Sequence, residues 1–206
     1  MWRGLIFALL TCETSLSANA LPLALKLDGA RVLVIGAGEV GARKTQQLLD
    51  AGALVTVISE DVISALPAGV AKLERRRYRP GDLRGYRLAI SATGDATINT
   101  TIADEARREG VWLNVVDDPD RSTFFFTALH RDGEVTVSVS TNGAAPALAQ
   151  YVRDLVIAAL PSGLSRVADE LRRERRRLHD EGMTSEGLDW RARIEGVLAG
   201  DTVSDF

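Results

Sequence analysis

The stretch that decides the fold is "RVLVIGAGEVGARKTQQLLDAGALVTVISED", residues 31–61. A β-branched run (31–35) is followed by a glycine turn, an amphipathic stretch (about 39–51) and a second apolar run (54–58). Apolar runs on either side of a helical period predict a strand, a helix and a second strand. Gly52 is placed to end the helix and make a tight return into the second strand.

The same alternation continues beyond this stretch. "RLAISAT" (87–93) predicts a strand, "DATINTTIADEARREG" (95–110) a helix and "VWLNVVD" (111–117) a further strand. The irregular segment 62–86 predicts a short helix, a short strand near 72–77 and a loop. Strands that alternate with helices at this spacing predict an α/β fold with a Rossmann-type, doubly wound parallel sheet.

After this alternation the pattern changes. "FFFTALHRDGEVTVSVST" predicts two antiparallel strands joined by an Asp132-Gly133 turn, and the chain from Pro146 has helical apolar spacing. We therefore expect a small strand region and then a helical carboxy-terminal domain. The predicted organisation is an extension (1–20), a cofactor-binding Rossmann domain (21–113), a strand and dimerisation region (114–145), a helical domain (146–200) and a tail (201–206).

Composition excludes several classes of protein. The chain has 206 residues, 46% of them hydrophobic, and a net charge of −3, which is typical of a globular protein and gives no case for a nucleic-acid partner. A single cysteine, Cys12, excludes an intrachain disulfide and a CxxC metal site. His130 and His179 form no metal-ligand motif, so no bound metal is expected. Because no apolar run reaches about 18 residues, no membrane association is expected either.

The first twenty residues, "MWRGLIFALLTCETSLSANA", allow two interpretations. Arg3, the following apolar run and the small residues before Leu21 resemble a weak secretory signal. The alternative is a short apolar extension or a start site assigned too far upstream. We favour the alternative and a cytoplasmic location, because the sequence that follows is typical of cytosolic nucleotide chemistry.

"GAGEVG" places Gly36, Gly38 and Gly41 in the GxGxxG spacing, after a strand and at the start of a helix. The three glycines permit the tight turn, the approach of the backbone to a pyrophosphate and close helix–sheet packing. The alternative is a glycine turn without a ligand.

The end of the second strand bears on the choice of cofactor. Ser59, Glu60 and Asp61 stand where an adenosine ribose would lie, and a carboxylate there binds a free 2′-hydroxyl and repels a 2′-phosphate. No arginine follows in that strand end, so NAD is favoured over NADP. Because Glu60 is 24 residues after Gly36, a backbone contact remains an alternative to a carboxylate one.

Three further strand ends carry candidate site residues. Thr93 in "ISATGD" would lie beneath the nicotinamide half of the cofactor, or the segment is a plain turn capped by Asp95 or Thr97. Asp117 in "NVVDDPDR" is a candidate proton carrier, or it caps a turn before Pro119. In "STNGAAP" the loop residues could bind an anionic group or simply cap a helix. The loop residues are Ser140, Thr141, Asn142 and Gly143. "RRERRR" (172–177) predicts a solvated helix face.

Taken together, four segments resemble the precorrin-2 dehydrogenases of siroheme synthesis, including the amino-terminal module of siroheme synthases. They are "LPLALKLDGARVLVIGAGEVGARK" (21–44), "ISATGD" (90–95), "NVVDDP" (114–119) and "VSVSTNGAAPALAQYVRD" (137–154). The resemblance implies NAD-dependent oxidation of precorrin-2 to sirohydrochlorin, in some members with insertion of Fe²⁺, by a homodimer.

The resemblance also implies roles for particular residues. It makes Asp117 the catalytic residue and not Asp118 or Asp120. It places cofactor contacts at Glu39 and Val40, and at Glu60 and Asp61. Thr141 and Gln150 stand where the family has a serine and an arginine. Phe124, Phe125 and Phe126 would offer apolar surface to a macrocycle, or they belong to the core. Two alternatives are a non-catalytic NAD-sensing module and a chelatase that has kept the fold.

Overall fold

A computed structural model of the chain describes residues 20–63 and 65–200. The predictions for residues 1–19 and for the tail lie outside the described residues. The chain divides into two compact units, the first ending at Leu113 and the second beginning at Asn114.

The first unit is built on a parallel sheet. Its strands are β1 (Arg31–Ala37), β2 (Leu54–Val62), β3 (Lys72–Glu74), β4 (Leu88–Ser91) and β5 (Trp112–Val115), whose last two residues belong to the second unit. Helix α1 (Glu39–Asp50) connects β1 to β2, and α2 (Ala96–Glu109) connects β4 to β5. The strand order is β3-β2-β1-β4-β5, so the chain returns from β3 to the other side of β1 to form β4, and the order reverses between β1 and β4. The predicted Rossmann-type sheet is confirmed.

The core of the first unit follows from the strand sequences. Residues 32–35 of β1 and 88–91 of β4 are buried without interruption. Such continuous burial, rather than alternation, is what a parallel sheet covered on both faces requires. The sheet is therefore central to the unit, and folds of this kind bind ligands at the carboxyl edge of the sheet.

The structure differs from the prediction at some of these elements. The short helix predicted after β2 is not found in residues 62–63 and 65–71, where β2 instead continues to Val62. Gly69, at φ +99°, interrupts any helical path there. The strand predicted over 111–117 ends at Val115, because Asp117 has φ +59° and cannot continue a strand.

The second unit begins with an irregular segment and a hairpin. Strands β6 (Ala128–Asp132) and β7 (Val135–Val139) pair in antiparallel register around Gly133-Glu134, one residue later than the predicted turn. The three phenylalanines at 124–126 precede β6, so the prediction that they lie in a strand is wrong.

Helices complete the second unit. They are α3 (Pro146–Ala159), which packs on both hairpin strands, α4 (Leu164–Asp180) and α5 (Trp190–Ala199). The predicted helical carboxy-terminal region is confirmed.

Glu174 of α4 is buried and accepts hydrogen bonds from Arg177 and from Arg193 of α5. The expectation that "RRERRR" is a solvated face is therefore wrong at Glu174, which helps to join two helices.

Candidate functional site

The glycine turn between β1 and α1 is closed by two tight backbone approaches. A Cβ on Gly36, which has φ +101°, would lie 2.6 Å from the carbonyl oxygen of Ala92, the residue after β4. A Cβ on Gly41 would lie 2.1 Å from the carbonyl oxygen of Gly36. Both positions therefore require glycine for packing alone, at the point where the strand order reverses.

Gly38 is different, because nothing lies within 4 Å of the Cβ that it lacks. It is the N-cap of α1 and gives that helix no side-chain cap, whereas Asp95 caps α2 by accepting from Thr97 and Ile98. The first amides of α1 are thus left for a ligand, in an open space that a side chain at position 38 would enter. These features fit the pyrophosphate of a dinucleotide.

The end of β2 forms a bulge. While β1 advances from Ile35 to Ala37, β2 advances from Ile58 to Val62, so that two extra residues stand out from the ladder. Ser59 fixes this bulge: its hydroxyl accepts from the amide of Ala37 at 3.0 Å and donates to the carbonyl of Asp61 at 2.6 Å. Glu60 and Asp61 are left exposed at the carboxyl edge of the sheet.

The prediction that no arginine lies at this strand end is wrong. The Nε atom of Arg77 is 2.6 Å from Oε2 of Glu60. Arg77 follows β3, and β3 is the neighbour of β2, so the two strand ends meet at one edge although 17 residues separate them in sequence. The strand order could have revealed this contact, but spacing along one strand could not.

The end of β4 is held by a small polar network. Ser91 donates to the side chain of Asn99 at 2.6 Å, and Asn99 donates to the carbonyl of Thr93 at 3.1 Å. The hydroxyl of Thr93 accepts from the amide of Asp95 at 3.2 Å. The capping role of Asp95 is confirmed, and Thr93 lies in the turn that touches Gly36 through Ala92.

In the second unit, Asp117 lies in a tight turn after β5. It occupies the third position of a turn in which the amide of Asp118 donates to the carbonyl of Val115 at 3.2 Å. Its φ of +59° is the left-handed region that favours glycine or asparagine at this position. Its carboxylate is exposed and forms no hydrogen bond or ion pair within the part of the chain that the structure describes.

The neighbouring residues hold the Asp117 turn in place. Ser122 accepts from the amide of Val115 at 2.9 Å and donates to the carbonyl of Asp118 at 2.8 Å. The carboxylate of Asp118 pairs with the side chain of Arg121 and accepts from its amide. Burial raises the pKa of Asp118, but the hydrogen bonds from Arg121 outweigh it and the pKa is lowered. Asp118 is therefore occupied in the turn.

The aromatic residues and the glycine loop pack together within this unit. A Cβ on Gly143 would lie 3.3 Å from the ring of Phe125, so the loop rests on that ring. The rings of Phe124 and Phe126 are 5.5 Å apart. The loop's hydroxyls bind its own backbone: Ser140 accepts from Asn142, and Thr141 accepts from Ala145. These bonds agree with the capping interpretation and leave Asn142, at φ +52°, exposed.

A cavity of about 780 Å³ lies between the last two helices, and sequence reasoning missed it. Its lining includes Leu171, Arg172, Arg175, Arg176, His179 and Trp190. The sequence pattern that could have indicated this cavity is the spacing of the four basic residues, which recur at intervals of three and four along one helix face.

Over residues 20–63 and 65–200, no three metal-ligating side chains cluster, and no helix is long and apolar enough to cross a membrane.

The sheet order, the glycine turn and the uncapped helix define the class: this is a Rossmann-type NAD(P)-binding protein. The family model described as putative NAD(P)-binding matches residues 23–128, and the one described as sirohaem biosynthesis protein central matches residues 132–158. The chain belongs to this NAD(P)-binding family. With the sirohaem segment, the resemblance to the precorrin-2 dehydrogenases of siroheme synthesis is confirmed.

The chain is similar to siroheme synthases. It is 38% identical to that of Methylococcus capsulatus over 186 residues, 87% of this chain and 39% of the relative. It is 38% identical to that of Azotobacter vinelandii over 159 residues, 75% of this chain and 34% of the relative. The chain thus spans less than two fifths of the length of these curated relatives. Among solved structures, "SirC, precorrin-2 dehydrogenase" shares the fold, with a TM-score of 0.65 and 19% identity over 87% of this chain and 88% of that one.

Proposed function

We propose that this protein oxidises precorrin-2 to sirohydrochlorin with NAD⁺, as a step in siroheme biosynthesis. The observation that carries the proposal is Asp117, an exposed carboxylate that has no partner among residues 20–63 and 65–200 and is held in left-handed backbone by a hydrogen-bonded turn. Strained residues that their surroundings fix in place cluster at functional sites. The family of NAD(P)-binding proteins and the siroheme synthase relatives supply the chemistry that such a carboxylate would serve.

The cofactor would bind at the carboxyl edge of the first unit's sheet. Gly36, Gly38 and Gly41 make the turn, and the amides of Glu39 and Val40 receive the pyrophosphate. The bulge at Ser59, Glu60 and Asp61 receives the adenosine ribose, and Thr93 lies on the nicotinamide side. When bound, NAD⁺ supplies the hydride acceptor that no side chain can provide.

Asp117 would act as general base. Oxidation removes a hydride and a proton from the macrocycle; bound NAD⁺ would supply the hydride acceptor, and Asp117 would accept the proton. Asp117 forms no ion pair within the described residues and its carboxylate is exposed, whereas Asp118 is already bound to Arg121. The turn holds the backbone of Asp117 in one conformation, which lowers the cost of placing its side chain at the moment of reaction.

The substrate would be recognised in the second unit. A tetrapyrrole has an apolar body and many carboxylates. The aromatic residues at 124–126 give apolar surface, and the loop Ser140, Thr141, Asn142 and Gly143 gives amide and hydroxyl donors. The exposed Asn142 would add a side-chain amide to the groups that can contact a carboxylate. Fe²⁺ as a further substrate, and a homodimeric assembly, complete the proposal.

An anaerobic assay tests the proposal. The protein is mixed with precorrin-2 and NAD⁺, and NADH formation is followed by absorbance. The proposal expects NADH only when both compounds are present. NAD⁺ binding without turnover would instead indicate a sensing module. In a parallel assay without NAD⁺, iron insertion into sirohydrochlorin would show a chelatase.

A further inference from the structure

The ion pair between Glu60 and Arg77 bears on which dinucleotide the first unit accepts. Glu60 stands on the bulge of β2, where this fold places the residue that contacts the ribose 2′ position. Arg77 meets it from the end of the neighbouring strand β3, with 2.6 Å between Nε and Oε2. Both side chains are exposed at the carboxyl edge of the sheet, so a ligand can reach them.

The backbone that carries Arg77 is firmly held. The amide of Arg76 donates to the carbonyl of Ser59 at 3.1 Å, which fastens this segment to the end of β2. The guanidinium of Arg76 makes two bonds to Asp82, at 2.7 and 2.9 Å, and one to Glu74. It also donates to the carbonyl of Arg77 at 3.0 Å. Arg77 therefore starts from a fixed position beside Glu60.

The contact uses only part of the arginine. Nε is bound to Glu60, and the two Nη groups of Arg77 make no bond to any residue in the described ranges 20–63 and 65–200. A guanidinium presents five N–H donors in a planar fork that suits phosphate oxygens. A carboxylate binds a free ribose hydroxyl and repels a phosphate, whereas an arginine at the same place accommodates the phosphate.

We propose that Arg77 is a second cofactor-specificity residue, which gives this site affinity for the 2′-phosphate of NADP⁺ beside its affinity for NAD⁺. The inference rests on the proposed function, because it assumes a dinucleotide at this edge. With NAD⁺, Glu60 takes the 2′-hydroxyl; with NADP⁺, Arg77 takes the phosphate and offsets the repulsion from Glu60. The two acids alone would exclude NADP⁺, and Arg77 keeps the affinities of the unmodified protein within about tenfold of each other.

Binding constants of NAD⁺ and NADP⁺ for the full chain, measured by isothermal titration without substrate, test this. Arg77→Ala should weaken NADP⁺ by at least about tenfold, the loss of a charge-assisted contact, and leave NAD⁺ within about twofold. Arg84→Ala is the matched control. Arg84 is an exposed arginine of the same unit, 3.6 Å from Glu109, and its loss should change neither constant.

The other outcomes separate the two proposals. If the unmodified protein binds NAD⁺ but not NADP⁺, or if Arg77→Ala weakens both cofactors equally, the inference is overturned and the pair is a surface ion pair only. If the unmodified protein binds neither, the proposed function falls as well. The variant Glu60→Gln is a second test. It should tighten the binding of NADP⁺ and weaken the binding of NAD⁺, and unchanged binding constants would contradict the placement of the ribose beside Glu60.

Discussion

At the scale of single residues, Asp117 and Asp118 show how adjacent carboxylates acquire different roles. Asp118 forms an ion pair with Arg121, and the hydrogen bonds from Arg121 lower the pKa of its carboxyl group. Asp117 sits in left-handed backbone, which costs a residue other than glycine roughly 1–2 kcal/mol, less for aspartate and asparagine. Because asparagine tolerates that conformation, Asp117→Asn removes the charge and leaves the turn intact. This makes it a clean probe of chemistry.

Lys44, on the helix that follows the glycine turn, predicts a pH dependence of stability. Burial, assisted by the charge of Arg43, lowers the pKa of Lys44 from 10.5 to about 8. Between these values the unfolded chain binds more protons than the folded one, so this residue makes stability rise with pH over that window. Lys44→Met should therefore raise the melting temperature at pH 7.

Thermal melts of both proteins across this pH range check the Lys44 prediction. The gain should shrink as the pH rises from about 8 and vanish above 10.5, where neither state carries the charge. A gain that is constant with pH would mean that the charge is not its cause.

Glu105 predicts a structural role for a buried carboxylate. It is 2% exposed and accepts from the hydroxyl of Tyr78 and from the amides of Gly81 and Leu83. Glu105→Leu would leave these donors unsatisfied, and the loss should be about 3–5 kcal/mol in urea unfolding. Tyr78→Phe, which removes one of the three bonds, should lose only about 1 kcal/mol. Equal losses would show that the hydroxyl alone matters.

At the scale of elements, the glycine turn predicts opposite effects for two similar substitutions. Gly41→Ala should destabilise the unit, because its Cβ would strike the carbonyl of Gly36 at 2.1 Å. Gly38→Ala should fold normally, since its φ of −79° suits alanine and the space is open. It should nevertheless weaken NAD⁺ by at least about tenfold, because the methyl group enters the pyrophosphate space. Melting curves with NAD⁺ titrations measure both. Normal NAD⁺ binding by Gly38→Ala would contradict the site.

Much of the first unit was predictable because its signals are local. The β-branched run 31–35, the glycine spacing and the helical period of α1 all act over a few neighbouring residues. The predictions failed where distant contacts decide. The bulge of β2 depends on Ala37 and Ser59 across two strands, and the contact between Glu60 and Arg77 depends on the strand order. The early end of β5 depends on Asp117, whose left-handed backbone no apolar pattern encodes.

At the scale of the whole molecule, the exposed apolar face of helix α3 predicts that two copies of the chain associate. Apolar side chains on it are 38–62% exposed, namely Leu148, Tyr151, Leu155 and Val156. An exposed apolar stripe on a helix that already packs on the hairpin fits burial against a second copy of the chain. We predict a homodimer and expect Leu155→Glu to give monomers by light scattering at micromolar concentration. Met183→Glu, a change at another half-exposed apolar residue, should not. A monomeric unmodified protein would contradict this.

The central claim is that Asp117 carries the proton in an NAD⁺-dependent oxidation of precorrin-2. The most direct test is the anaerobic rate of NADH formation for the unmodified protein, Asp117→Asn and Asp118→Asn, with NAD⁺ affinity measured alongside. We predict a loss of about 10² to 10⁴ in rate for Asp117→Asn at unchanged NAD⁺ affinity and melting temperature, and a much smaller loss for Asp118→Asn. An active Asp117→Asn protein, or an inactive Asp118→Asn protein that still folds, would contradict the account.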